Sequence, residues 1–248
     1  MRSAISFCLY RRRALRKSLS RTLVLTIVGL GSMRMLAQDP TAAFPNNYRK
    51  VLENADVVVL RVHYGPHETV GVHDHSDHPT VYVYLNDSGP VRFVHEPENV
   101  ILTRPPTHTG AYRVSPGRRE RHSIVNLTDK SSDYLRVELK KVPLGSLKHE
   151  FRGSAPETLV QGTKVEFEDP ALRIERVVCD AGATCALPVD NSPSVLVAFS
   201  PSELMERKRA KVFPADSSTL WLKADESVSV RATGTGLAHL LRIVLLEH

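Results

Sequence analysis

The stretch His73-Asp74-His75-Ser76-Asp77-His78-Pro79-Thr80-Val81-Tyr82-Val83-Tyr84-Leu85 decides how this chain is read. Two histidines stand two residues apart, a polar Ser-Asp-His-Pro break follows, and then Val and Tyr alternate. Residues i and i+2 of a strand point to the same face, so His73 and His75 project together. Imidazole is the commonest protein metal ligand, and here it is concentrated: eight of the eleven histidines lie between His63 and His122, and none between His149 and His239. A third ligand has to come from elsewhere in the chain, and His122 sits on another strand-like stretch. Three neutral imidazoles meeting in a pocket would hold a divalent cation and leave positions open to water or substrate.

Outward from this stretch, short β-rich runs recur at Val57–His63, Val91–His95, Ala111–Val114, Ser123–Leu127 and Tyr134–Lys140. Gly65-Pro66, Asn86-Asp87-Ser88-Gly89-Pro90 and Ser115-Pro116-Gly117 punctuate them. Beyond residue 48 nothing reads as a long amphipathic helix, so the pattern predicts an all-β sandwich or barrel. The strand pattern lapses after Lys141 and resumes at Leu172–Val178, Ser194–Phe199, Thr219–Leu222, Ser227–Arg231 and Leu240–Leu246.

The two runs of strands read as copies in the same order. Leu52-Glu53-Asn54-Ala55-Asp56-Val57 lies beside Phe167-Glu168-Asp169-Pro170-Ala171-Leu172, and His78-Pro79-Thr80-Val81 beside Ser192-Pro193-Ser194-Val195. Leu135-Arg136-Val137-Glu138-Leu139 lies beside Leu241-Arg242-Ile243-Val244-Leu245. The second copy has lost the histidines. Leu187-Pro188-Val189, or Pro188-Val189-Asp190 one residue later, stands where His73–His75 would be, and Val228 stands where His122 would be.

The opening stretch resembles the first cupin motif, H-x-H-x4-E followed by an apolar strand. Gly110-Ala111-Tyr112-Arg113-Val114-Ser115-Pro116-Gly117, with His122 and Asn126 after it, resembles the second, G-x5-P-x-G-x2-H-x3-N. The resemblance covers residues 50–141 and implies two antiparallel jelly-roll barrels in one chain, the first holding a metal through His73, His75 and His122. The expected organisation is a signal peptide over 1–37, an N-terminal linker over 38–48, a metal-binding barrel over 49–145, a linker over 146–164 and a degenerate barrel over 165–248. The family's glutamate falls at Thr80, which implies a three-histidine set without the carboxylate, and one residue is inserted between Pro116 and His122. His78 is either a substitute fourth ligand or a loop residue. It is out of phase with the His73–His75 pair, which favours the loop. Tyr82 and Tyr84 share the parity of Thr80 and either face the pocket, if no bulge intervenes, or are ordinary sheet aromatics. His63, His67, His95 and His108 are read as solvated or strand-edge residues, and Arg118-Arg119-Glu120-Arg121 as a solvated loop at the barrel mouth.

Charge and cysteine usage bound the rest. The net charge of +6 rests on 33 basic and 27 acidic residues, but residues 1–37 hold eight of the basic ones and no acidic one. A basic segment, the apolar run Thr22–Met33, and Ala37 before Gln38-Asp39-Pro40 have the layout of a secretory signal peptide. The run is short of the ~20 residues that a spanning helix needs. Without this segment 25 basic residues face 27 acidic ones, a net charge of −2, which argues against nucleic acid as a partner. The expectation is an exported protein, periplasmic or secreted, without stable membrane insertion, binding a small molecule and forming a homodimer. Cys179 and Cys185 are either a local disulfide or two small buried thiols. The metal would be Zn, Fe, Mn or Ni. Two functions stay open, because cupins include enzymes, storage proteins and binding modules. One is a metalloenzyme acting on a small polar or anionic molecule; the other is a non-catalytic binding or structural module, favoured by Thr80 at the glutamate position.

Overall fold

Valine-rich alternation along the chain produces nineteen strands in the computed structural model, which describes residues 39–142, 149–206, 209–213 and 218–246. The region read as a signal peptide lies outside the described residues. After a short helix at Pro40–Ala43 come β1 (Tyr48–Glu53), β2 (Val57–Tyr64), β3 (Thr69–His75), β4 (Thr80–Tyr84), β5 (Val91–His95), β6 (Val100–Arg104), β7 (Tyr112–Ser115), β8 (Glu120–Asn126), β9 (Ser132–Leu139) and β10 (Phe151–Gly153). The second half follows with β11 (Gly162–Glu168), β12 (Leu172–Cys179), β13 (Thr184–Ala186), β14 (Ser194–Ala198), β15 (Ser202–Glu206), β16 (Arg209–Val212), β17 (Thr219–Leu222), β18 (Ser229–Ala232) and β19 (Ala238–Leu245).

Sheet order carries the internal repeat. The larger sheets run β1-β2-β9-β4-β7-β10 and β11-β12-β19-β14-β17, and the smaller ones β3-β8-β5-β6 and β13-β18-β15-β16. Apart from β10, each strand of the first half has the strand ten places later in the same position of the second. Registers agree as well. Arg136 pairs with Leu60 and Tyr82, and Arg242 with Glu175 and Leu196. Even the bulge is repeated, between Lys50 and Leu52 in β1 and between Val165 and Phe167 in β11.

Strand alternation sends each larger sheet's side chains in two directions. Val57, Val59, Val81, Val83, Leu135, Val137 and Leu139 form one buried layer with Leu172, Ile174, Val195, Val197, Leu241, Ile243 and Leu245. The two larger sheets therefore share one apolar core, face to face. The opposite faces look into the two barrel interiors. The stretch expected to be a linker carries β10, which pairs with β7 through Phe151↔Val114 and lengthens the first large sheet; Phe151 and Phe167 pack 4.8 Å apart across the halves. The cysteine alternatives resolve to a disulfide joining Cys179 to Cys185, between the end of β12 and β13.

Candidate metal centre

The three histidines of the motifs meet because β3 and β8 are antiparallel neighbours with His73 directly opposite His122. His75 follows two residues along β3, on the same face. A bulge between Val70 and His73 sets that phase, and it needs room: a Cβ on Gly71 would lie 3.0 Å from the Phe44 ring. The glycine of the second motif has a similar reason. Gly117 has φ +86°, and a Cβ there would come within 2.6 Å of the Asp77 carbonyl and the Pro79 nitrogen, so the loop after His75 could not close on β8. Asn126 closes the motif structurally, its Nδ2 donating to the Gly65 and Lys130 carbonyls at 2.8 Å.

His73 is oriented from behind. Its Nδ1 donates to the Gly71 carbonyl at 2.8 Å, which leaves the Nε2 lone pair facing inward. A backbone carbonyl fixing the tautomer this way is the usual support of a metal-ligating histidine. His73 Nε2 lies 3.1 Å from His75 Nε2 and 2.7 Å from the Tyr48 hydroxyl. One nitrogen from each of His73, His75 and His122 falls within 4.8 Å of the others, and all three side chains are buried. His75 Nδ1 and both ring nitrogens of His122 are buried without a hydrogen-bond partner in the protein. An unsatisfied buried polar atom costs ~1–3 kcal/mol, so a divalent cation on inward-facing lone pairs fits this donor set. Burial keeps the rings neutral, as ligation requires: it lowers the pKa of His73, lowers that of His75 well below the ordinary range and takes that of His122 down to about 3.

The barrel interior beside the triad is polar, but its charges are paired. Arg136, buried, donates from Nε to Glu138 at 2.7 Å and from Nη1 to Glu120 at 3.2 Å and to the Tyr82 hydroxyl at 2.7 Å. Burial alone would raise the Glu120 pKa; the Arg136 guanidinium outweighs it, with His122 and Arg113 assisting, and holds the carboxyl at about 2. A cavity of about 40 Å³ is lined by His75, His122, His95, Tyr82, Tyr84, Glu120, Arg104, Arg113 and Arg136, among others. Arg113 lies over the Tyr82 ring at 3.9 Å and meets Glu150 at 3.1 Å, while its Nε is buried without a partner. A second chain of polar groups runs from Tyr48 to Tyr64 at 2.6 Å and on to Tyr134 at 2.9 Å. Burial pushes all three phenols up, so they are neutral.

Several readings of individual residues change. Tyr82 and Tyr84 line the cavity. Thr80 is buried, its hydroxyl donating to the His78 carbonyl at 2.9 Å; His78 is half-buried in the loop between β3 and β4. His95 is not a solvated or strand-edge bystander: β5 pairs with β8 through His95↔His122, the two rings lie 5.2 Å apart, and His95 Nε2 is buried without a partner. Of the Arg118–Arg121 segment, Arg118 and Arg119 are exposed loop residues as read, but the next two are not. Glu120 and Arg121 belong to β8, with Glu120 buried, and Arg121 pairs with Asp74 at 2.6 Å and Glu96 at 3.0 Å. Sequence reasoning passed over Tyr48, Arg113 and Arg136. For Arg136 a signal existed, since a charged residue at an inward position of an otherwise apolar strand needs buried partners.

No family model matches the chain, and no curated protein matches it. Solved structures do. AerE from Microcystis aeruginosa is 11% identical over 81% of this chain and 98% of its own, with a TM-score of 0.57. YhaK from Escherichia coli is 11% identical over 80% and 91%, with a TM-score of 0.54. The bacterial pirin YhhW from Escherichia coli, solved in complex with nickel(II), is 13% identical over 84% and 86%, with a TM-score of 0.54. At such identities the likeness is one of fold, and it agrees with both motifs and with the order of the strands: this chain has the cupin fold.

Proposed function

We propose that the chain is an exported protein that binds one divalent metal ion through His73, His75 and His122 and brings a small anionic molecule to it. The observation that carries this reading is the inward convergence of three buried imidazoles, one locked by the Gly71 carbonyl and two with unsatisfied ring nitrogens. Of Zn, Fe, Mn and Ni, imidazole donors suit Zn, Fe and Ni, while Mn prefers oxygen ligands. When bound, such an ion supplies Lewis acidity toward a ligand oxygen. Around it, the chain's own groups select the ligand. Arg113, with its unpartnered buried Nε, and Arg104 bring positive charge to the cavity wall and suit a carboxylate or a similar oxyanion. His95 Nε2 is free to hold a proton at that ligand.

Whether turnover follows binding is a separate matter, and one observation favours binding without it. Among the described residues that line the cavity, the only carboxylate is Glu120, which Arg136 keeps ionised and hydrogen-bonded. It does not stand ready as a general base. The small cavity also has room for only a few waters or a compact anion. Metal analysis of protein purified from the exported fraction tests the first reading: one equivalent per chain is expected, and a metal-free protein that takes up none on titration overturns it. Sequencing the N-terminus of that fraction tests export, with cleavage expected near Ala37 and an intact Met1 counting against it.

A further inference from the structure

We propose that Tyr48 is the fourth protein ligand of the metal, an oxygen donor that takes over from the missing carboxylate at Thr80. The inference rests on the three-histidine reading and adds a residue from β1, outside both motifs. Donors each ~2.0–2.2 Å from one metal lie roughly 2.8–3.1 Å from one another at right angles and roughly 3.3–3.6 Å at the tetrahedral angle. His73 Nε2 and His75 Nε2, 3.1 Å apart, already have a right-angle spacing, and Tyr48 Oη, hydrogen-bonded to His73 Nε2 at 2.7 Å, reaches it by moving outward by a few tenths of an ångström. The Tyr48 ring packs against both histidines, with centroids 4.8 Å and 5.5 Å away.

Lone-pair counting requires a change at Tyr48 once the metal arrives. His73 Nδ1 carries the proton given to the Gly71 carbonyl, so Nε2 has a single inward lone pair. That pair serves either the Tyr48 O–H or a cation, not both. With the cation present, the Tyr48 oxygen is left beside it with its own lone pairs, held in place by the Tyr64 hydroxyl at 2.6 Å. The phenol proton is released to solvent on coordination, as acidic ligands release theirs.

Other oxygen donors near the triad are occupied elsewhere. Thr80 is bound to the His78 carbonyl, and Glu120 is bound to Arg136 and Tyr82. Asp74 has the opposite parity on β3 and pairs with Arg121.

Copper(II) is the probe, because it binds nitrogen–oxygen sites most tightly among the first-row divalent ions and a coordinated phenolate gives it a visible charge-transfer band. Titration of the full chain is expected to raise this band to saturation at one equivalent. Tyr48→Phe should lose the band, still bind one copper through the histidines, and bind it at least about tenfold more weakly. Tyr64→Phe should keep the band. A wild-type protein that binds one copper, loses it in His122→Ala and shows no phenolate band overturns the Tyr48 assignment and leaves the three-histidine site standing. A wild-type protein that binds no copper overturns both.

Discussion

The two halves run their chain through the same strand order and fill it with opposite chemistry. Where the first interior has Tyr64, Tyr82, Tyr84 and Tyr134, the register-matched positions of the second hold Cys179, Leu196, Ala198 and Leu240. Where β3 and β8 face each other with His73 and His122, the Leu187 N–H donates to the Val228 carbonyl at 2.9 Å, one step beyond the Ala186↔Ser229 pair. This selects the first of the two registers considered from the sequence. All six replacements belong to a single buried apolar cluster. One interior keeps room and donors for a ligand; the other is filled by apolar side chains and stapled by the Cys179–Cys185 disulfide. A buried arginine at the same register position survives in both, and its environment shows the difference. Burial acts against both guanidinium charges; Tyr82 with Glu120 and Glu138 overcomes it at Arg136, while Glu175 at Arg242 does not.

The largest expected effect is on the ligands. His122→Ala should abolish metal binding as fully as His73→Ala or His75→Ala, because two imidazoles remain; metal content after dialysis checks it. Retention of metal with an intact circular dichroism spectrum would remove the contrast between the halves. The arginines come next. Arg136→Met strands two buried carboxylates and should cost ~3–5 kcal/mol. Arg242→Met should cost ~1–3 kcal/mol, since Arg173 still holds Glu175 at 2.7 Å. Denaturant titration separates them, and equal losses would mean that the two charged networks do not differ.

Converting one half into the other gives a gain rather than a loss. His73→Leu combined with His122→Val copies the Leu187–Val228 pair and removes unsatisfied ring nitrogens, so the metal-free protein should become ~1–3 kcal/mol more stable. The same variant tests the acid response. The folded pKa of His122 is about 3, below the ~6.5 of an unfolded imidazole. Above ~6.5 neither state is protonated at this ring. As the pH falls below that, the unfolded chain takes up a proton first, and stability falls by up to ~1.4 kcal/mol per pH unit for each such ring until the folded value is reached. Urea midpoints between pH 7 and 4 should therefore drop in the wild type and drop less in the double variant; parallel curves would refute buried neutral histidines. The smallest effect belongs to His78→Ala. The half-buried loop side chain should change stability by no more than ~1 kcal/mol and leave metal affinity unaltered.

Sequence alone determined the class of fold and three of the central residues. Period-two alternation of Val and Tyr, turn residues between the runs, and the spacing of His73, His75 and His122 are local features, and local geometry dictates which side chains share a face. The emptiness of the second copy was legible in the same way, from Leu187 and Val228. What surrounds the triad was not. Tyr48 reaches His73 across twenty-five residues, His95 meets His122 only because β5 is the neighbour of β8, and Glu120 is buried only because β8 begins there and carries it inward to Arg136. These are pairings between strands distant in the chain. Strand order and register decide them, and neither leaves a trace in the spacing of residues along one strand. The alternation that says a residue points inward does not say what it will meet there; in this protein the closing of the sheets supplies that answer.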